Sequence, residues 1–128
     1  MAHLVTGSAG FIGSYIVDKI IDQGDDCYSV DNLSGGDRGN INVKSHFFKM
    51  DCADIHMDTI MRKVNLDTLW HLAADATEGR SQFSPTSATH NNLEAYVNTL
   101  SCFLRNGGDM KDKKVILFSS MAAYGKGI

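Results

Sequence analysis

The chain has 128 residues, of which 43% are hydrophobic and 21% charged, a balance typical of one globular domain. Its net charge is −3 and its basic residues form no cluster, which argues against nucleic-acid binding. No apolar run approaches the ~20 residues of a membrane span, and the first residues do not read as a signal peptide, so we expect a cytoplasmic protein without membrane contact.

The three cysteines, Cys27, Cys52 and Cys102, are odd in number and far apart in the chain. They show no spacing typical of metal ligands, and we predict no metal site. A reduced, cytosolic setting is the simpler interpretation of this usage.

The first apolar run, residues 3–5, leads into a glycine-rich segment at residues 6–13 that contains Gly7, Gly10 and Gly13. A strand, a glycine turn and a helix in this order are typical of dinucleotide binding. We predict that Gly7 allows the tight turn, that Gly10 lets the backbone approach a pyrophosphate, and that Gly13 lets the helix pack on the strand. A plain turn is the alternative, and the flanking strand and helix patterns favour the dinucleotide site.

Helical spacing of apolar residues follows the glycine turn, and Gly24 is a plausible helix end. The apolar residues of this predicted helix are Phe11, Ile12, Tyr15, Ile16 and Ile20. A second strand over residues 27–30 ends at Asp31, about 20 residues after the glycine turn, where an acid is expected to bind a ribose 2′-hydroxyl. Such a carboxylate repels a 2′-phosphate, so NAD is favoured over NADP. A loop acid or a helix cap is the alternative role for Asp31.

The remaining elements continue the alternation of strands and helices. After a polar loop at residues 32–40, we predict strands over residues 47–50, 68–72 and 115–118. Asp54 is expected to cap a helix that carries Ile55, Ile60, Met61 and Val64. Ser84 and Pro85 predict the start of another helix, which carries Leu93, Tyr96, Val97, Leu100 and Leu104 and ends at Gly107 and Gly108.

Near-continuous apolar strands separated by helices imply a parallel sheet covered on both faces. We predict an α/β fold with a doubly wound, Rossmann-like parallel sheet of strand order 3-2-1-4-5, incomplete at its C-terminal side. The pyrophosphate is expected where this order reverses, beside residues 7–13.

Five motifs in register resemble the extended short-chain dehydrogenase/reductase family, the NAD-dependent nucleotide-sugar epimerases and dehydratases. They are the glycine motif, Asp31 with Asn32, Asp51 with Cys52, the HLAA sequence at residues 71–74, and the segment at residues 118–125 that contains Ser119, Ser120 and Tyr124. The resemblance covers the whole chain. It implies an oxidoreductase-type fold that binds NAD and acts on a nucleotide-sugar.

The resemblance also assigns roles to individual residues. It implies that Asp51 receives the adenine amino group, that the backbone of Cys52 faces the adenine ring, and that the small residues after the fourth strand leave room for the cofactor. Asn92 matches an asparagine that shapes the central sheet and cofactor site, and Ser120, next to Ser119, matches the catalytic serine or threonine. The complete set of expected cofactor residues is Gly7, Gly10, Phe11, Ile12, Gly13, Asp31, Asn32, Asp51, Cys52, Leu72, Ala73, Ala74, Asn92 and Ser119. Packing at strand ends, an exposed helix polar group, and turn-forming serines are the alternatives for the residues after the fourth strand, Asn92 and the serine pair.

A loop at residues 77–81 is expected to face the sugar-nucleotide, or to be a solvated loop. The family's Tyr-x-x-x-Lys pair is expected some tens of residues beyond Ser120, where tyrosine is the general acid/base. Tyr15 and Lys19 fit that spacing but lie in the first helix, where the periodicity predicts that Tyr15 packs in the core, so we treat the match as a coincidence. Tyr124 is followed four positions later by Ile128.

We therefore expect residues 1–128 to form the N-terminal part of an NAD-binding domain, without the substrate domain. The first hypothesis is an NAD-dependent nucleotide-sugar epimerase or dehydratase, with the isolated chain inactive. The second is a non-catalytic NAD-binding module, and a weaker third is a reductase of a non-nucleotide carbonyl. An apolar fifth strand at the sheet edge predicts a homodimer or other self-association.

Overall fold

The computed structural model describes residues 1–127 and contains one sheet of five parallel strands. The strand order is β3-β2-β1-β4-β5, which confirms the predicted doubly wound topology. The strands are β1 (Ala2–Thr6), β2 (Asp26–Asp31), β3 (His46–Lys49), β4 (Thr68–His71) and β5 (Lys114–Leu117).

α-Helices connect β1 to β2, β3 to β4 and β4 to β5, whereas the connection from β2 to β3 contains only a 3-10 turn. The α-helices are α1 (Phe11–Asp22), α2 (Met57–Met61), α3 (Glu78–Phe83), α4 (Pro85–Ala88) and α5 (Ala95–Arg105). A π-helical turn, Thr89–Glu94, joins α4 directly to α5, and short 3-10 turns lie at Arg38–Asn40 and Met121–Tyr124. Over residues 1–127, none of these helices is long and apolar enough to cross a membrane.

The core has two parts, one on each face of the sheet. Leu4 and Val5 are neighbours in β1 and both are fully buried, but they belong to different clusters because successive strand side chains point to opposite faces. The Leu4 cluster contains Leu69 and Phe103 of β4 and α5, whereas the Val5 cluster contains Val17 of α1. Burial on both faces explains why β1 reads as a continuous apolar run.

The first helix buries only part of the face that apolar spacing predicted: Ile20 is buried and Ile16 packs against the core, but the predicted residues before them are exposed. Gly13, Val17 and Ile20 are its buried residues, while Tyr15 is 67% exposed and meets the ring of Phe11 edge-on. The prediction that Tyr15 packs in the core is therefore wrong. Because Gly13 has no side chain, α1 packs closely against the glycine turn, and the helix face that contains Gly13 lies against the core.

The same kind of correction applies to α5. It carries two stripes at helical spacing, and the buried one consists of Ala95, Thr99, Cys102 and Phe103. Of the predicted residues, Leu93, Val97 and Leu104 are exposed, whereas Leu100 packs against the core and the ring of Tyr96 contacts that of His71. Thr99 tolerates burial because its hydroxyl donates to the carbonyl of Ala95 at 2.8 Å, so the smaller stripe packs against the sheet without an unpaired polar group.

Two predictions of local structure are also wrong. Asp54 does not cap α2: its carboxylate accepts from the amide of His56 at 2.8 Å and closes a turn, and the helix begins only at Met57. Ile55 consequently lies outside the helix and is 81% exposed, and Val64 follows its end. Residues 77–81 are not a loop throughout, because α3 begins at Glu78.

Unlike β1, the strand β5 is not buried on both faces of the sheet. In the part of the chain that the structure describes, β5 pairs only with β4, and Val115 and Leu117 are 39% and 51% exposed. This strand is the open, apolar edge that the sequence predicted.

Candidate functional site

A cleft of about 440 Å³ lies at the carboxyl ends of the strands, where the sheet order reverses between β1 and β4. Open α/β sheets bind their ligands in this position. The cleft brings together nine of the predicted site residues: Gly7, Gly10, Asp31, Asn32, Asp51, Cys52, Leu72, Ala73 and Ala74. The predicted residues outside its described lining are Phe11, Ile12, Gly13, Asn92, Ser119 and Ser120.

The glycines of the turn meet different constraints. Gly7 has φ +66°, and a side chain there would begin 2.8 Å from the backbone nitrogen of Ala73. At Gly13, a side chain would collide with the carbonyl oxygen of Gly7. Gly10 has an ordinary φ of −77°, and a side chain there would approach only the Gly7 carbonyl, at 3.2 Å. Gly7 and Gly13 are thus required by the fold, whereas Gly10 keeps open the space on its cleft side.

The N-terminus of α1 offers amide groups to this space. Gly10 is the N-cap and supplies no side-chain acceptor, and the first helical hydrogen bond joins the Ser14 amide to the Gly10 carbonyl at 3.1 Å. The amides of Phe11, Ile12 and Gly13 come before that bond and have no acceptor within the helix. Such a helix end attracts an anion through its amides and its dipole. The side chains of Phe11 and Ile12 are exposed, and neither residue is part of the described cleft lining.

Asp31 lies at the end of β2 with only 8% of its surface exposed. One carboxylate oxygen accepts from the amide of Ala9 at 2.9 Å and the other from the amide of Leu33 at 2.7 Å. The glycine turn and the following loop therefore orient this carboxylate. Each oxygen retains a further lone pair for a ligand hydroxyl.

The loop after β2 docks on the glycine turn, a relationship that sequence reasoning missed. The carbonyl of Ala9 accepts from the Asp37 amide at 3.0 Å and from the Asn40 side chain at 2.9 Å. Gly36 permits this contact, because a side chain there would begin 2.9 Å from the Ala9 methyl. Asn32 shapes the start of the loop by accepting from the amide and hydroxyl of Ser34. The glycine pair at residues 35–36 is the sequence feature that could have indicated this contact.

Thr6 and His71 join β1 to β4 beneath the cleft. The Thr6 hydroxyl oxygen lies 3.2 Å from the amides of Leu72 and of Ala73, and 2.9 Å from Nδ1 of His71. A hydroxyl that accepts from both amides donates its own proton to Nδ1 of His71, and the imidazole proton is then on Nε2, a buried atom without a hydrogen-bond partner among the described residues. His71 is 3% exposed, and burial lowers its pKa from 6.5 to about 4, so the ring is neutral at physiological pH.

The adenine-side carboxylate predicted from the sequence, Asp51, follows β3 and lines the cleft. One of its oxygens accepts from the amide of Ala53 at 2.8 Å, and the other lies 3.3 Å from Nε2 of His90. The adjacent Cys52 is buried, and desolvation raises the pKa of its thiol to about 12. A neutral thiol of this kind is no nucleophile at pH 7, so Cys52 contributes its backbone and its shape.

Three consecutive residues of the π-helical turn line the cleft or contact residues that line it. His90 contacts Asp51, Asn91 lines the cleft, and Asn92 both accepts from the amide of Asp75 at 2.8 Å and donates to its carbonyl at 3.2 Å. Asn92 thus fixes the loop after β4 rather than lining the cleft itself. π turns are rare and occur frequently at functional sites. Nothing in the spacing of the sequence predicts this one.

The β4 side of the cleft ends in charged residues. Asp75 accepts from the amide of Thr77 at 3.0 Å and lies 3.4 Å from the guanidinium of Arg80, which also lines the cleft. The hydrogen bonds from Thr77, together with Arg80, lower the pKa of Asp75, so it is charged at pH 7. The side chain of Glu78, part of the predicted substrate loop, lies outside the described part of the structure.

Ser119 and Ser120 follow β5 and are exposed. The Ser120 hydroxyl accepts from the amide of Ala122 at 3.1 Å and caps the last 3-10 turn. Turn formation, the alternative considered for this residue, is therefore observed, and its catalytic role stays a prediction. Within residues 1–127, no group of three or more His, Cys, Asp or Glu side chains is arranged to hold a metal ion.

The chain is similar to known proteins along its full length. Residues 3–128 match the model of the NAD dependent epimerase/dehydratase family. A curated relative is the UDP-glucose 4-epimerase of Halalkalibacterium halodurans, 37% identical over 98% of this chain and 36% of the relative.

Solved structures give the same result. A UDP-glucose 4-epimerase of Thermotoga maritima, solved with UDP-glucose, superposes with a TM-score of 0.92 at 35% identity, over 100% of this chain and 41% of that one. The UDP-glucose 4-epimerase of Brucella ovis in complex with NAD gives a TM-score of 0.86 at 30% identity, over 98% and 37%. The chain thus spans roughly two fifths of the length of the proteins it matches.

Proposed function

This chain belongs to the NAD dependent epimerase/dehydratase family, and on that premise we propose that it is the NAD-binding portion of a nucleotide-sugar epimerase or dehydratase. The observation that carries the proposal is the cleft itself. An uncapped helix N-terminus, the open side of Gly10 and the buried carboxylate of Asp31 all meet at one wall of it. These groups match the pyrophosphate and the ribose of a dinucleotide.

Different residues of the site would contact different parts of the cofactor. The amides of Phe11, Ile12 and Gly13 would bind the pyrophosphate, and Asp31 would accept from the adenosine ribose. Asp51 and the backbone of Cys52 would contact the adenine. Leu72, Ala73 and Ala74 would leave space toward the nicotinamide, because two of the three side chains are single methyl groups.

Asp31 makes NAD the preferred form of the cofactor. Its carboxylate is held in place by two backbone amides, so it cannot swing away from a ligand without losing both hydrogen bonds. A 2′-phosphate would place negative charge against this fixed carboxylate. The nearest cationic side chain of the following loop, Arg38, is on the 3-10 turn and is absent from the cleft lining over the described residues.

When bound, NAD supplies a hydride acceptor and donor for a sugar carbon. The part of this chain that serves the substrate is Ser120, whose hydroxyl would orient the sugar oxygen, with Ser119 beside it at the cofactor. Arg80 and the α3 region would face the nucleotide-sugar. The general acid/base is proposed to come from a Tyr-x-x-x-Lys pair beyond residue 128, since Tyr15, which has Lys19 four residues later, lies on the exposed face of α1.

A non-catalytic NAD-binding module is the second candidate function. It is favoured by the position of the four tyrosines: none of the residues that line the cleft in the described structure is a tyrosine. In either case binding of NAD is the activity proposed for these 128 residues, in the cytoplasm and without a metal ion.

Calorimetric titration of NAD and of NADP into the purified chain tests the proposal. We expect saturable binding of NAD and weaker binding of NADP. Circular dichroism of the same sample shows whether the chain is folded. A folded chain that binds neither nucleotide would contradict the proposed function, and equal affinity for the two would contradict the role of Asp31.

A further inference from the structure

His90 lies between two carboxylates at the adenine end of the cleft. Its Nε2 is 3.3 Å from a carboxylate oxygen of Asp51, and its Nδ1 is 2.8 Å from a carboxylate oxygen of Glu94. Asp51 comes from the loop after β3 and Glu94 from the same π turn as His90. The other chain segment beside the ring, residues 84–89, contributes no charged side chain.

Both contacts are hydrogen bonds only when the ring is protonated. A neutral imidazole donates from only one nitrogen, so its other nitrogen would point a lone pair at a carboxylate. An imidazolium donates from both. In agreement with this geometry, the hydrogen bonds to Glu94 and to Asp51 raise the pKa of His90 above its ordinary value.

We propose that His90, as an imidazolium, is a positioning residue for the cofactor: it fixes the Asp51 carboxylate toward the adenine and offsets the negative charge at that end of the cleft. This inference rests on the proposed function, because it takes Asp51 to be the adenine acceptor. His90 itself is outside the cleft lining and acts through Asp51.

Deprotonation of His90 has a definite consequence for binding. Asp51 and Glu94 would then be left without this counter-charge, in a site for a cofactor whose pyrophosphate is negative. NAD affinity is therefore expected to fall as the pH rises through the titration of His90. The fall is about threefold, since the side chains of His90 and Asp51 are 45% and 36% exposed and pairs of this kind are partly screened.

Two variants separate this role from a merely structural one. His90→Gln cannot become charged, so its NAD affinity should be low and independent of pH from 6 to 9. His90→Lys restores a cation and should recover the tighter binding at all these pH values. His56→Gln is the matched control, because His56 pairs with Asp54 at 2.7 Å outside the cleft lining and should keep the wild-type pH profile.

The experiment is NAD calorimetry at pH 6, 7, 8 and 9 on the folded variants, with an NMR titration of the His90 ring in the ligand-free chain. Asp51→Asn should lower the pKa of His90 in that titration. A flat wild-type profile, an affinity that rises with pH, or the same slope in His90→Gln would overturn the inference while leaving NAD binding intact. Absence of NAD binding at every pH would instead overturn the proposed function, and this inference with it.

Discussion

The hydroxyl of Thr6, the last residue of β1, lies 2.9 Å from Nδ1 of His71, the last residue of β4. One pair of side chains thus joins the two strands between which the sheet order reverses. The same hydroxyl accepts from the amides of Leu72 and Ala73, which lead into the cleft. The floor of the cofactor site is therefore fixed by a residue that does not line it.

Thr6→Val should destabilise the chain by about 1–3 kcal/mol, because it is nearly isosteric but removes the hydroxyl partner of the Ala73 amide and of Nδ1 of His71, whereas the Leu72 amide keeps the Thr6 carbonyl at 3.3 Å. NAD affinity should fall as well, since residues 72–74 lose their anchor. Thr6→Ser keeps the hydroxyl and is the control. Urea unfolding and NAD calorimetry measure the two effects; equal stability of the Val and Ser variants would contradict this role.

Buried His71 should make stability depend on pH. Its folded pKa is about 4, below the 6.5 of the unfolded chain, so the unfolded state binds more protons between these values. This contribution to the free energy of unfolding is complete above about pH 6.5 and is lost as the pH falls toward 4, by roughly 3 kcal/mol in total.

Urea unfolding from pH 4 to 7 measures this dependence, with NMR of the His71 ring as the direct check. His71→Gln should flatten the slope. A ring of His71 that titrates near 6.5 in the folded chain would rule out the explanation.

The strand order, the glycine turn and the position of Asp31 could be predicted from the sequence, because each depends on local chemistry: apolar runs, backbone freedom at glycine, and a fixed offset along the chain. Apolar spacing predicted only part of the buried face of α1, namely Ile16 and Ile20. Phe11 and Tyr15 are larger and more hydrophobic than Gly13, yet close packing against the turn selects the face with the small residue.

The contacts that hold the site together also escaped prediction, because they join residues far apart in the chain. His90 meets Asp51 across 39 positions, and Asn92 meets Asp75 across 17. Both depend on the π turn, whose extra width follows from tertiary packing and leaves no periodic signal. The resemblance to a family suggested Asn92, but not that it acts through the backbone of Asp75.

Gly10→Val should abolish NAD binding and leave the fold nearly intact. Its φ of −77° suits any residue, and the single close neighbour of a new side chain is the carbonyl of Gly7 at 3.2 Å, so the added methyl groups enter the cleft where the pyrophosphate is proposed to bind. Gly107→Val, in open space away from the cleft, is the matched control. Unchanged NAD affinity of a folded Gly10→Val chain would refute the assignment of the site.

Asp31→Ala should weaken NAD binding and narrow its advantage over NADP. Alanine also removes the acceptors for both Ala9 and Leu33, so Asp31→Asn is the cleaner variant: it removes the charge and keeps one acceptor oxygen, with the loss of one of the two backbone hydrogen bonds. The ratio of NADP to NAD dissociation constants should fall about tenfold, a change of about 1.4 kcal/mol. Asp26→Asn, at the opposite end of β2, should not alter the ratio, and an unaltered ratio in Asp31→Asn would exclude charge as the basis of the preference.

The open edge of β5 should make the isolated chain associate with itself. Its backbone donors and acceptors on the outer side face no strand within the described residues, and Val115, Leu117 and Phe118 expose apolar surface beside them. Light scattering should show a mass above 14.0 kDa that increases with concentration.

Leu117→Lys should shift the chain toward the monomer, because a lysine at an edge opposes pairing with a second edge. Val43→Lys adds the same charge at a side chain that is 95% exposed and distant in sequence from β5, so it should leave association unchanged. If both variants reduced association equally, net charge and not the β5 edge would be the cause; a monomer at high concentration for the unmodified chain would show that the edge does not self-pair.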